Sequence, residues 1–181
     1  MKTKLIYSDG YFIGFDEKDS PSLYRENFYG RPLGIGKPKT PIFTAKMIFN
    51  FYEGLYLLKN NKVEIYDIEG KKLDVEEIIK EGKKYIEFFE EKYLVYEDLR
   101  NKGYILKPGM KYGVTFMVYE YGPGLDHAPF LVDVLRKESF FSDLQIIRAG
   151  RLTHSVRKKL LIASVDLKTR KINYYLFEWF E

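Results

Sequence analysis

The apolar residues of the chain fall into short runs separated by Gly, Pro, Asp and Asn, and these runs set out its elements. Residues 4–7 and 11–15 flank Asp9-Gly10, a pair that tolerates positive φ, which predicts a β-hairpin. Ser20-Pro21 opens a short helix expected to stop near Gly30, and residues 30–41, punctuated by Gly and Pro, read as a loop. The apolar stretch 42–49 predicts a strand. Asn50 with Glu53, and Asp74 with Glu77, are capping boxes in which each side chain of the pair satisfies a backbone N–H of the other. They start one helix that runs to about Leu58 and another expected to pause at Gly82, with a strand over 63–66 between them.

From residue 85 the period is helical. Ile86, Phe89, Tyr93, Tyr96 and Leu99 recur at three- and four-residue steps to residue 101, and Gly103 is a natural stop. The pattern then changes to strands over 104–106, 112–121 and 130–135. Ser142 caps a helix expected over 143–155, and the chain finishes as a hairpin, 160–165 and 172–180, around the turn 166–171. No internal repeat is present. The Gly82-Lys83 region is the expected domain boundary, dividing a small α+β domain, 1–83, from an α/β domain, 84–181.

Composition narrows the class. Of 181 residues, 45% are hydrophobic and 31% charged, the balance of a soluble globular protein with room for real cores. The chain has no cysteine, which rules out disulfides, thiolate metal sites and cysteine nucleophiles. Its first residues do not read as a signal peptide and no run reaches transmembrane length, so a cytoplasmic protein with no membrane partner is expected. Net charge is only +4, but residues 136–171 hold ten Lys or Arg against three acids, whereas residues 1–83 are near neutral with fourteen bases and thirteen acids. Such a segment draws a phosphate-rich partner, and it also reads as an ordinary solvated face.

The candidate chemistry is sparse. The only two histidines are His127 and His154, and no metal motif surrounds either, so no metal and no cofactor are expected. The glycine-rich loop around Gly34-Ile35-Gly36-Lys37-Pro38 fails as a phosphate loop. Gly30 and Gly36 are one residue too far apart, and Pro38 stands where Ser or Thr would hold magnesium. A metal-dependent nuclease would need clustered carboxylates followed by lysine near a strand, and Glu120 with Asp133 does not make that set. His127 sits where the Gly/Pro loop 122–127 enters a strand, accessible and with an imidazole suited to proton transfer, though a lone surface histidine is ordinarily idle. Tyr119 is one of 16 tyrosines. Lys158, between Arg157 and Lys159 at a helix end, is also simply a cation favoured by the helix dipole. Lys37 and Lys39, spaced by Pro38 on an extended segment, suit phosphate contact or an exposed loop equally well.

Three ordered motifs change this reading. Residues 96–104 with Lys107-Pro108-Gly109-Met110-Lys111-Tyr112-Gly113 are followed by Val118-Tyr119 and Asp126-His127-Ala128-Pro129-Phe130-Leu131-Val132. Then comes Arg151-Leu152-Thr153-His154-Ser155-Val156-Arg157-Lys158, running into Leu160-Leu161-Ile162-Ala163. Together, over roughly 85–180, they resemble the catalytic domain of the archaeal-type tRNA-splicing endonucleases, and the first half is compatible with that family's smaller N-terminal domain. The resemblance implies an α+β protein whose second domain is an α/β nuclease with a mixed, restriction-endonuclease-like sheet. It implies RNA cleavage without metal at the bulge-helix-bulge sites of precursor tRNA. Tyr119 would be the general base on the ribose 2′-hydroxyl, His127 the acid for the leaving 5′-oxygen, and Lys158 the cation on the phosphoryl oxygens. Lys158 would also favour the phenolate of Tyr119. Arg151 falls where the family has an arginine that stacks on a flipped bulge base. The rival is a non-catalytic, RNA-binding structural subunit of the same complex, against which all three residues in matching contexts speak.

The same resemblance bears on partners. Family members are tetramers in which an acidic loop enters a basic pocket on the opposing subunit, and in identical-subunit versions the turn of the last hairpin supplies the acids. Here Asp166-Leu167-Lys168-Thr169-Arg170-Lys171 carries three cations and one acid. A distinct acidic-looped partner in an α2β2 assembly is therefore expected, with at most a homodimer when the chain is alone, joined through 174–177 and Trp179-Phe180.

Overall fold

A computed structural model describes residues 2–177 apart from 37, 39, 141 and 157. Lys37 and Lys39, and the terminal Trp179 and Phe180, lie outside the described residues. The chain forms two compact units, Met1–Phe89 and Glu90–Glu181.

In the first unit, β1 (Thr3–Ser8) and β2 (Tyr11–Gly14) make the predicted hairpin, with Ser8 opposite Tyr11. Asp9 and Gly10 both take positive φ, 46° and 84°, as a two-residue hairpin turn demands. Helix α1 (Ser20–Asn27) carries proline in its first turn and ends at Phe28, which takes the left-handed conformation, two residues before Gly30. There follow β3 (Arg31–Pro32), β4 (Met47–Phe49), α2 (Phe51–Lys59), β5 (Val63–Tyr66), β6 (Lys72–Leu73) and α3 (Val75–Tyr85). The strands form one sheet in the order β3-β4-β2-β1-β5-β6, and β1 and β5 are its parallel pair. Both capping boxes form as expected, Asn50 and Asp74 each accepting the N–H of the Glu three residues on. The core is Leu5, Phe12, Met47, Phe49, Leu55 and Ile65, all fully buried.

Two expectations are corrected here. The strand expected over 42–49 is only β4, because Ile42 is 73% exposed and has no core to face. Gly82 does not pause α3 but lies inside it, packed so closely on Phe89 that a methyl group would come within 2.6 Å of the ring.

In the second unit, α4 (Phe89–Asn101) begins after Phe88, whose φ of 55° breaks it from the preceding helix, so the helix expected from 85 starts four residues late. It ends at Gly103 as predicted. Gly103 takes φ 93°, and the N–H of Tyr104 returns to the Leu99 carbonyl at 3.1 Å. Then come β7 (Ile105–Pro108), a single 3₁₀ turn Met110–Tyr112, β8 (Phe116–Tyr119), β9 (Phe130–Arg136), α5 (Asp143–Val156), β10 (Lys159–Asp166) and β11 (Lys171–Phe177). The strand expected from 112 is shorter than its apolar run. Tyr112 closes the 3₁₀ turn, and backbone bonds between Gly109 and both Val114 and Thr115 hold the chain in a tight bend. The sheet order is β11-β10-β9-β8-β7, antiparallel except for β9 and β10, which α5 connects as a parallel pair. This is the mixed sheet expected.

Alternation sorts the sheet's two faces. Met117, Leu131, Leu160 and Ile162 pack with Ala149 and Leu152 of α5. On the opposite face Phe116 meets Tyr96 of α4 at 5.9 Å. Glu91 of α4, buried, accepts from Arg136 at 2.6 Å, and Asp98 accepts from the Tyr174 hydroxyl at 2.6 Å.

Candidate active site

Register brings the three expected residues to one end of three neighbouring strands. Val118 lies opposite Phe130 in the antiparallel pair, and Phe130 opposite Lys159 in the parallel one. Tyr119 therefore ends β8 where His127 leads into β9 and Lys158 into β10. Period-two alternation puts Tyr119 with Met117, and Lys158 with Leu160 and Ile162, on the α5 face.

The loop that carries His127 is organised by its neighbour. The Asp126 carboxylate accepts the backbone N–H of Glu120 at 2.8 Å, Gly122 at 3.0 Å and Tyr121 at 3.4 Å. It thereby ties the residues after Tyr119 to the residue before His127, and the histidine is left exposed. Next, Ala128 is 3% exposed and takes φ 39°, a left-handed conformation rare for alanine. In extended backbone successive carbonyls point apart. The left-handed turn aims those of His127 and Ala128 the same way, and both accept from the Lys158 ammonium, that of Ala128 at 2.6 Å. Burial holds the Lys158 ammonium below the ordinary lysine value; the Asp126 charge opposes this and the Lys111 charge adds to it. The Tyr112 ring lies 5.8 Å from the Lys158 ammonium and 5.6 Å from that of Lys111.

Of the other expected residues, Lys37 and Lys39 lie outside the described residues. Arg151 is exposed on α5, as is His154. Part of the basic segment is neutralised internally: Arg136 by Glu91, Lys137 by Asp166 at 2.9 Å, and Arg170 by Glu97 at 3.7 Å. Among the described residues no three His, Asp or Glu side chains converge as a metal site would require. Asp126, Tyr112 and Lys111 escaped sequence reasoning as site residues, although all three stand inside the motifs. The available signal was an acid beside a loop histidine and an aromatic beside a lysine, both too common to single out.

A phenol, an imidazole and an anchored ammonium at one sheet end are the kinds of group that proton transfer beside a developing negative charge calls for. The profile of the tRNA intron endonuclease catalytic C-terminal domain matches residues 89–174, and that of the tRNA intron endonuclease N-terminal domain matches residues 5–79. The chain is 44% identical over 167 residues to a protein of Hyperthermus butylicus named tRNA-splicing endonuclease, covering 92% of each. Proteins of the same name from Sulfurisphaera tokodaii and Saccharolobus islandicus are 42% and 38% identical, over 90% and 99% of this chain and 90% and 98% of their own lengths. The chain belongs to the tRNA intron endonuclease family, and it is an enzyme of that family.

Proposed function

We propose that this chain is the catalytic subunit of a metal-independent endonuclease that excises introns from precursor tRNA at bulge-helix-bulge sites. The observation that carries the reading is the convergence of Tyr119, His127 and Lys158, with the lysine ammonium anchored on the histidine's own carbonyl. Tyr119 takes the proton of the ribose 2′-hydroxyl as its oxygen attacks the adjacent phosphorus. The bond from phosphorus to the 5′-oxygen breaks, and His127 gives its proton to that oxygen. Lys158 faces the charge that gathers on the phosphoryl oxygens. The products are a 2′,3′-cyclic phosphate and a 5′-hydroxyl. Arg151, exposed on α5, is free of the core and suited to stack on an extruded base, a contact worth roughly 1–3 kcal/mol by analogy with aromatic stacking.

The test is single-turnover cleavage of a bulge-helix-bulge precursor by the assembled enzyme. His127→Ala and Tyr119→Phe each lose on the order of 10²–10⁴ in rate while RNA affinity changes little. Chelation with EDTA leaves the wild-type rate intact. Either variant cutting near the wild-type rate removes the assignment, and EDTA-sensitive cleavage removes metal independence.

A further inference from the structure

Lysine is a poor choice for a fixed charge unless something fixes it. Its ammonium rides on four flexible carbons and has three donors. In Lys158 two of these go to the carbonyls of His127 and Ala128. Two acceptors stop rotation about the Cε–Nζ bond and set the direction of the third N–H, so what still has to be fixed is the position of the ammonium itself. The Tyr112 ring, 5.8 Å from the same ammonium, supplies the third contact. Ring faces attract cations through their quadrupole, more strongly where water is partly excluded.

The ring is itself well anchored. It packs against the cluster of Val114, Leu131, Ala149, Leu160 and Ile162, the core under the α5 face. Its backbone closes the 3₁₀ turn held by Gly109, where the Val114 N–H donates to the Gly109 carbonyl at 3.2 Å. A side chain at Gly109 would strike Val114 at 2.6 Å, so the bend is closely fitted.

The geometry points to Tyr112 as the positioning residue of Lys158, its ring holding the ammonium in place so that the one remaining N–H is left for the phosphoryl oxygen of the substrate. This rests on the acid–base reading of Tyr119, His127 and Lys158 above. Among the described residues, the charged and titratable groups that meet Lys158 are Asp126 and His127 of the loop and Lys111 and Tyr112 of the 3₁₀ turn, with Tyr119 at the same end of the sheet. Among them the ring favours the protonated ammonium without competing for its protons.

The experiment is the pH profile of single-turnover cleavage by the assembled enzyme, with RNA affinity measured in parallel, for Tyr112→Phe, Tyr112→Leu and Lys158→Ala. Tyr112→Phe keeps the ring face and retains the rate within about threefold. Tyr112→Leu keeps apolar packing without the face. It loses about tenfold or more in rate, moves the alkaline limb to lower pH and leaves RNA affinity within about twofold. If the leucine variant does not fold, Tyr112→Met is read against the same expectations. A leucine or methionine variant with the wild-type rate and limb, beside an inactive Lys158→Ala, overturns the role of Tyr112 and leaves the acid–base reading standing. A Tyr112→Phe variant as impaired as Tyr112→Leu overturns it too, because the hydroxyl and not the ring would then be what matters. Lys158→Ala cutting at the wild-type rate overturns the underlying reading instead.

Discussion

Lys158 holds two opposed requirements in one side chain. In its proposed role it must be charged to act on a phosphate, yet burial above all, and the Lys111 ammonium after it, hold its proton more loosely than the ordinary value of 10.5, with Asp126 pulling the other way. The charged form is thus present at low and neutral pH and is lost on the alkaline side earlier than for a free lysine. Removing the Lys111 charge raises the Lys158 value again, so Lys111→Met moves the alkaline limb of single-turnover cleavage to higher pH. A limb that stays in place or moves down contradicts this coupling. At this scale the sequence singled out Tyr119, His127 and Lys158 through their motifs, and folding brings them to one end of the sheet. It was silent on Asp126 and Tyr112, whose work depends on what folding places beside them: three backbone N–H groups and an ammonium from a strand far along the chain.

Glycines show how much of an element its sequence declares. Gly103 ends α4 where expected, because a left-handed residue after a helical period is a local signal. Gly82, read as a pause, and Gly54 within α2 are instead places where an aromatic ring meets helix backbone. That requirement comes from the partner in space, which no local pattern reveals. A methyl group at Gly54 would lie 2.3 Å from the Phe12 ring, and Phe12 is fully buried with nowhere to retreat. Gly54→Ala therefore costs about 1–3 kcal/mol through overpacking, despite alanine's better helix propensity. Thermal unfolding checks this, and a variant as stable as the wild type would show that the ring can move. The same reasoning covers the strands. Apolar runs marked most of them, but the two-residue β3 and β6 exist only through their pairing with β4 and β5.

At the scale of the whole molecule, we propose that assembly turns on the last hairpin. The one acid of its turn, Asp166, is already occupied, since its carboxylate accepts from Lys137 at 2.9 Å and from the N–H of Lys168 at 3.0 Å and of Thr169 at 3.3 Å. The Lys137 ammonium holds that carboxyl down to about 2. With Arg170 paired to Glu97, what the turn offers a basic pocket is Lys168 and Lys171, and like charges oppose docking. The edge strand β11 meanwhile leaves Tyr175 and Leu176 about half exposed, apolar area available to a second chain. Sedimentation and cleavage assays on the purified chain should therefore find no species larger than a dimer, with full activity only after an acidic-looped partner is added. A stable, fully active homotetramer refutes this. On the proposed reading of the site, the parallel pairing of β9 with β10 also sets when the protein becomes dangerous to RNA. Lys158 lies 31 residues beyond the carbonyl it binds, with all of α5 between. Such a pairing is closed late, after the local hairpins and helices have formed. On that reading, a chain still emerging from the ribosome, surrounded by RNA, carries its tyrosine and histidine unarmed until β10 docks and the cation arrives.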